Sequence, residues 1–167
     1  DEVGLTGLWF EGQKNYARTL FPESGERELP VFQQAKHWLE VYFAGKEPAF
    51  SVPLHPMGTA FQQRVWDFLR TIPYGNTATY GEIARRLAAE NGLAHLSAQA
   101  VGGAVGRNPI SILIPCHRVI GADGSLTGYA GGIGRKRALL TLEREGVVNA
   151  AEAILQAAQQ RSRMRQP

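Results

Sequence analysis

Two capping boxes set where helices must begin in the middle of this chain, and a proline sets where the first must stop. In Thr59-x-x-Gln62 and Thr79-x-x-Glu82 the hydroxyl can accept from the backbone N–H three residues on. The Gln or Glu side chain can then reach back to the cap's own N–H. Behind Thr59, the residues Phe61, Val65, Trp66 and Leu69 form an amphipathic stripe. That helix should end at Ile72-Pro73-Tyr74-Gly75, because Pro73 disfavours helical geometry in the residue before it. Behind Thr79, a second helix buries Ile83, Ala84 and Leu87; a loop with Asn91-Gly92 follows, and Ser97 caps a third helix running to about Arg107. Two short helices with a connection between them make a helix-turn-helix candidate.

The third helix has almost no side-chain bulk. Its AQAVGGAVGRN stretch places Gly102 and Gly103 inside the helix, each costing about 1 kcal/mol relative to Ala. Something must come close enough to favour small residues. Tight packing against a neighbouring helix is one reading, and close approach of a phosphate backbone is the other.

The first third of the chain has a different character. Residues 3–10 (VGLTGLWF) are apolar and β-prone, and a polar stretch runs from there to Pro30. Pro30 sits at a first helical position, ahead of Val31, Ala35, Trp38, Leu39 and Tyr42 at helical spacing, and Gly45 is placed to end that helix. Residues 46–58 carry three prolines and read as an extended linker. The expected division is therefore a lobe and linker at 1–57, a helical domain at 58–148, and an extension at 149–167. In the extension, Asn149 to Glu152 could cap a short Ala-rich helix ending in Arg161, Arg163 and Arg165. Trp9, Trp38 and Trp66 read as core.

Charge follows the same division. Residues 1–57 hold 5 Lys+Arg against 8 Asp+Glu, a net of −3, while residues 58–167 hold 13 against 7, a net of +6. A basic C-terminal portion points to an anionic partner, nucleic acid first. At 167 residues with 44% hydrophobic content the chain is an ordinary globular one, a single domain or two lobes sharing a core. No apolar run approaches the roughly 20 residues that a bilayer requires. The start, Asp1-Glu2-Val3-Gly4, lacks a signal-peptide pattern and an initiator Met, so a trimmed N-terminus is expected. A single Cys excludes an internal disulfide and a Cys-rich zinc site, and a lone free thiol fits the cytoplasm. His37, His55 and His95 have no ligand-like spacing, so no metal is expected.

The chemistry sits in residues 108–121, NPISILIPCHRVIG. A strand-like run, Ile110 to Ile114, delivers Cys116 and His117 just after Pro115. A thiol attacks as thiolate, and an adjacent base could generate one. Yet neighbouring side chains on an extended chain face opposite ways, so on this dipeptide alone a buried, inert Cys remains a competing reading.

Four segments in order resolve the ambiguity: GTAFQQRVWDFLRTIPYGNTATYGEIA, AVGGAVGRNP, ILIPCHRVIG and GSLTGYAGGIGRKRALLTLE. Together, from about Gly58 to Glu143, they resemble the O6-alkylguanine-DNA alkyltransferases, and residues 1–57 do so more loosely. The resemblance implies an α+β fold: a small ribonuclease-H-like α/β lobe, then a mostly helical domain of winged-helix or helix-turn-helix type. It implies direct repair of O6-alkylguanine, and of O4-alkylthymine, by irreversible single-turnover transfer of the alkyl group to Cys116, with no cofactor. His117 aligns with the general base, acting through a water, and Glu143 with the carboxylate that orients it. Asn108 aligns with the hinge Asn bracing the turn before the active-site strand. Tyr80 aligns with the residue that aids base flipping and donates to guanine N3. Tyr129, Ala130 and Gly131 align with the pocket loop, and main-chain carbonyls near Cys116 and Val119 would accept from the exocyclic amine. The implied partner is double-stranded DNA, entered from the minor groove by the third helix through Ala98, Gln99, Gly102 and Gly103, with Thr79 and Arg107 beside it. The expected form is a monomer, cooperative loading on DNA being an open alternative.

Several positions depart from the family. Gln99 stands where the usual Arg fills the space of the flipped base. Ser111 stands where some members have Pro, residues 88–96 look longer than usual, and the N-terminal lobe looks short, as if a first strand were absent. Arg118 could brace the site or touch phosphate. Three rival functions differ in chemistry: a flagging module without repair, which would lack Cys116; a cysteine hydrolase, for which no oxyanion motif is present; and a helix-turn-helix regulator.

Overall fold

The computed structural model describes residues 1–146; the expected helix and Arg-rich end of the extension lie outside them. The order is α1 (Pro30–Phe43), α2 (Ala60–Leu69), β1 (Ala78–Thr79), α3 (Tyr80–Glu90), α4 (Ala98–Val105), β2 (Val119–Ile120) and α5 (Ile133–Glu145). Helices dominate, and a two-stranded sheet pairs β1 with β2 in parallel, Ala78 opposite Val119 and Thr79 opposite Ile120. This is the α+β class expected.

The helix starts follow the signals in the sequence, but α2 ends at Leu69, short of the stop expected at Ile72-Pro73, because Thr71 N and Ile72 N close tighter turns onto Phe68 O and Leu69 O. Both capping boxes are complete: Thr59 accepts from Gln62 N and Thr79 from Glu82 N, while each side chain returns to the cap N–H. Ser97 accepts from Ala100 N. Pro30 opens α1, and Gly45, at φ +75°, closes it with backbone bonds to the preceding turn. α3 runs on to Glu90, so part of the loop expected at 88–96 is helix.

Two expected strands do not form. Residues 3–10 make only single-residue parallel bridges, Leu5 to Leu54 and Leu8 to Ile110. Leu5 N donates to Pro53 O, and His55 N returns to Leu5 O, but the next donor back along that segment would be residue 53, and Pro53 has no N–H with which to continue the ladder. Ile110 to Ile114 is a tight turn, with Ile112 at φ +71°. The Asn108 side chain takes the groups that a strand would have used: its amide donates to Ile110 O (3.2 Å) and Ile114 O (2.9 Å), and its oxygen accepts from Ile110 N (2.9 Å).

One hydrophobic core joins the N-terminal residues Leu5, Ala35 and Val52 to the buried faces of α2, α3 and α4. Trp66 anchors it, nearly fully buried, with its indole N–H donating to Ala104 O at 3.0 Å. A second, smaller cluster of Tyr42, Ile112, Leu139 and Leu142 joins α1 to α5. The reactive segment is held between these two clusters.

Candidate active site

Cys116, His117 and Arg118 form a single 3₁₀ turn immediately after Pro115. Successive side chains on such a turn diverge by about 120° rather than alternating. Cys116 and His117 are both buried, the imidazole completely. The Cys116 sulfur accepts from Asn108 Nδ2 at 3.0 Å, so one amide braces the turn and holds the thiol. Burial pushes the Cys116 thiol above its ordinary value, and the Asn108 bond and the Lys136 charge work against that rise. The resting group is a thiol that needs a base.

His117 is defined by its surroundings. Glu143, on α5, accepts five hydrogen bonds. They come from His117 Nε2 (2.6 Å), Tyr42 OH (2.7 Å), Arg118 Nε (2.9 Å) and Nη2 (3.1 Å), and Gly75 N (3.1 Å). Burial, the largest single influence, raises its pKa; the bonds and charges of His117 and Arg118 together outweigh burial and leave it at about 2. Gly75 fits this cradle because its φ is +75° and a side chain would press within 3.3 Å of Glu143 O. An ionised Glu143 can only accept, so Nε2 carries the imidazole hydrogen. Burial lowers the His117 pKa against the opposing pull of Glu143, keeping the ring neutral. Nδ1 is therefore a bare acceptor, buried and without a partner among the described residues.

Arg118 braces the site: it is buried, chelates Glu143, donates to Ile72 O at 2.6 Å and lies over the Tyr74 ring. Lys136, fully buried on α5, donates to Val119 O (2.5 Å) and Thr127 O (3.1 Å). Burial lowers its pKa to about 8, and Cys116 opposes the shift. The Val119 carbonyl expected to meet substrate thus already takes one donor, and Cys116 O takes another from Val119 N. Each carbonyl has a second lone pair. Tyr80 OH donates to Thr127 O at 3.2 Å, and burial raises its pKa. The Tyr129 hydroxyl is buried without a partner among the described residues, and its ring meets Phe10 edge-on. Ala130 O accepts from Lys14 N, and Gly131 has no room for a Cβ between the Tyr129 and Phe10 rings. The Ser111 hydroxyl donates inward to Gln13 at 3.2 Å.

α4 buries Val101, Ala104 and Val105, leaving Ala98, Gln99 and Gly103 exposed. A Cβ at Gly102 would make only ordinary contact with the Tyr80 ring (3.7 Å), and one at Gly103 only with Arg107 Nη1 (3.7 Å). Packing inside the protein does not require these glycines. They line a groove of about 400 Å³ with Arg107, Tyr129 and the N-terminal residues Lys14 and Arg18. Among the described residues no carboxylate lines it, so the lobe that is acidic in sequence presents two cations on this face. Thr79 is taken up in capping α3.

Sequence reasoning missed Tyr42, Lys136, Lys14 and Arg18. Tyr42 follows Trp38 at i+4, the spacing of a core residue, and nothing in that spacing discloses its hydroxyl's partner 101 residues away. Among the described residues no group of His, Cys, Asp or Glu is placed to hold a metal, and no helix is long and apolar enough to cross a membrane.

Comparison with known proteins shows the family. Residues 60–145 match the family model of the 6-O-methylguanine DNA methyltransferase DNA-binding domain, and residues 1–56 that of its ribonuclease-like domain. The chain is 53% identical over 118 residues to a methylated-DNA–protein-cysteine methyltransferase of Haemophilus influenzae, covering 70% of this chain but only 63% of that relative's length. It is 47% identical over 143 residues to one of Methanosarcina acetivorans, covering 86% of this chain and 87% of the relative. Among solved structures, Mycobacterium tuberculosis OGT in complex with DNA superposes with a TM-score of 0.75 at 45% identity, over 92% of this chain and 89% of that one.

Proposed function

This chain belongs to the O6-methylguanine DNA methyltransferase family, and from that premise we propose that it reverses alkylation damage in DNA by moving the alkyl group of O6-alkylguanine, and of O4-alkylthymine, onto Cys116. The observation that carries the reading is the pairing of one sulfur, held by Asn108, with a buried imidazole whose unpartnered nitrogen is its basic one.

The alkyl carbon lies on the Watson–Crick edge of the base, so the nucleotide must leave the duplex at a cost of a few kcal/mol. His117 Nδ1 takes the Cys116 proton through a water, and Glu143 steadies the imidazolium that results. The sulfur lone pair then forms the S–C bond as the O6–C bond breaks. Its electrons pass to the purine, which is neutralised by a proton that Tyr80 donates at N3; the tyrosinate recovers the proton that His117 took from Cys116, so that one proton in all moves from sulfur to purine. The thioether has no easy leaving group, so each molecule acts once and needs no cofactor. Tyr129, Ala130 and Gly131 line the pocket, with the Val119 and Cys116 carbonyls accepting from the exocyclic amine.

DNA is engaged by α4 from the minor groove. Two glycines that no internal contact demands favour close approach of a backbone from outside. Minor-groove reading is degenerate and suits a search for lesions in any sequence. Lys14, Arg18 and Arg107 supply phosphate contacts around it. The protein works as a monomer, and its free thiol fits the reducing cytoplasm. The test is incubation with a duplex carrying O6-methylguanine, followed by mass spectrometry of the Cys116 peptide. Stoichiometric gain of one methyl group is expected, and none with Cys116→Ala. Binding without mass gain would mark a flagging module instead.

A further inference from the structure

We infer that Tyr42, supplied by the N-terminal lobe, is a positioning residue of the transfer reaction: its hydroxyl holds the Glu143 oxygen that orients His117. The inference rests on the alkyl-transfer reading above and extends the relay across the lobe boundary.

Tyr42 is fully buried on α1, and its hydroxyl lies 2.7 Å from Glu143 Oε1. His117 Nε2 uses that same oxygen at 2.6 Å and stands 3.4 Å from the phenol oxygen. The ring is fixed on three sides. It stacks on Trp38 (centroids 5.3 Å, 13° between planes) and meets Tyr74 edge-on (6.0 Å, 82°) and His117 likewise (6.4 Å, 73°). Ile112, Leu139 and Leu142 complete the cluster. A phenol held this way has one use for its O–H, and a buried hydroxyl without that partner would be costly. Burial and the Glu143 charge both push its pKa far above the ordinary tyrosine value, so it donates at every relevant pH.

That donor has a chemical consequence. A hydrogen bond from a neutral donor withdraws negative charge from Oε1 and fixes its direction, so Nε2–H stays aimed at it and Nδ1 stays the free base. Without the donor, the carboxylate charge falls more fully on His117 and favours its protonated form. The other groups facing His117 do not replace it. Arg118 already donates to both carboxylate oxygens, Nη2 to Oε1 and Nε to Oε2, and to Ile72 O, Lys136 is engaged with Val119 O and Thr127 O, Cys116 is the proton source, and Tyr74 has no bond to Glu143. Because His117 must be neutral to accept the proton, a raised imidazole pKa moves the acid limb of the rate profile to higher pH.

The test compares Tyr42→Phe with Tyr74→Phe in the full chain. Tyr74 loses a hydroxyl from the same cluster, one with no partner among the described residues. Single-turnover methyl transfer from an O6-methylguanine duplex is followed across pH 5 to 9, with affinity for undamaged duplex measured alongside. For Tyr42→Phe we expect a fall of about ten-fold at neutral pH and an acid limb shifted up by about half a unit to one unit. Duplex affinity should be unchanged, and the Tyr74→Phe profile should match the parent. In a Glu143→Gln background, Tyr42→Phe should cost little more, because both act on one carboxylate. Should Tyr42→Phe fail to fold, an ortho-difluorinated tyrosine at position 42 keeps the shape and donates more strongly, and the limb should move to lower pH. An unmoved limb, or equal effects of the two Phe variants, overturns the inference. Failure of the parent protein to transfer methyl at any pH overturns the alkyl-transfer reading instead.

Discussion

Replacing Glu143 by Gln is the change whose consequences the structure lets one work out most fully. The carboxyl falls from an ordinary value near 4.5 to about 2 in the folded protein. A group depressed on folding contributes stability above its unfolded value, and that contribution is lost as pH drops through the folded one. The size is about 3 kcal/mol at neutral pH, taking about 1.4 kcal/mol for each tenfold change in proton affinity. A second route gives a similar figure: removing one partner of a buried ion pair costs about 3–5 kcal/mol, here because Arg118 would be left buried without its countercharge. A domain of this size holds roughly 5–15 kcal/mol in all, so the variant should fold but lie close to its limit. Urea unfolding of both proteins at several pH values reads the effect. The gap should be about 3 kcal/mol at pH 7 and should close between about pH 4.5 and pH 2, as the parent carboxyl takes up its proton. A gap under about 1 kcal/mol at pH 7, or one that does not shrink on acidification, would refute the account of Glu143 as the charged centre of the site.

Three further outcomes follow from the groove and α4. Gly103→Ala should stabilise the protein by up to about 1 kcal/mol, since its Cβ has room, while weakening duplex binding; unfolding and binding titrations on one preparation check the opposed signs. Lys14→Ala and Arg18→Ala should each lower the slope of log affinity against log salt by about one without changing the folded stability, and unchanged slopes would remove the N-terminal lobe from the DNA face. Gln99→Arg should tighten duplex binding or speed transfer, by placing a longer, cationic side chain on the exposed face of α4, and an unaltered rate and affinity would count against it.

Local chemistry was legible without coordinates wherever a signal and its effect lie within one turn of each other. Thr59 with Gln62, Thr79 with Glu82, Ser97 and Gly45 each act on a backbone group three residues away, Pro30 acts through its own fixed φ, and the helix starts and the end of α1 came out as read. The strand readings failed for the converse reason. A strand exists only if a distant segment offers a continuous ladder, and Pro53 and the Asn108 side chain remove those partners from residues 3–10 and 110–114.

The order of motifs around Cys116 was enough to place the chain in its family, because such a pattern is carried by the chain itself. What only the folded molecule decided is which groups meet across long separations. Tyr42 reaches Glu143, Gly75 lends it an N–H, and Arg118 turns inward to chelate it rather than outward to phosphate. Lys14 and Arg18 come to lie beside Gly103 and Arg107, reversing what the charge of their own segment implied. Hydrogen bonding and Coulomb attraction act through space over a few ångströms, and residues far apart in the chain come within that range only once the core has closed.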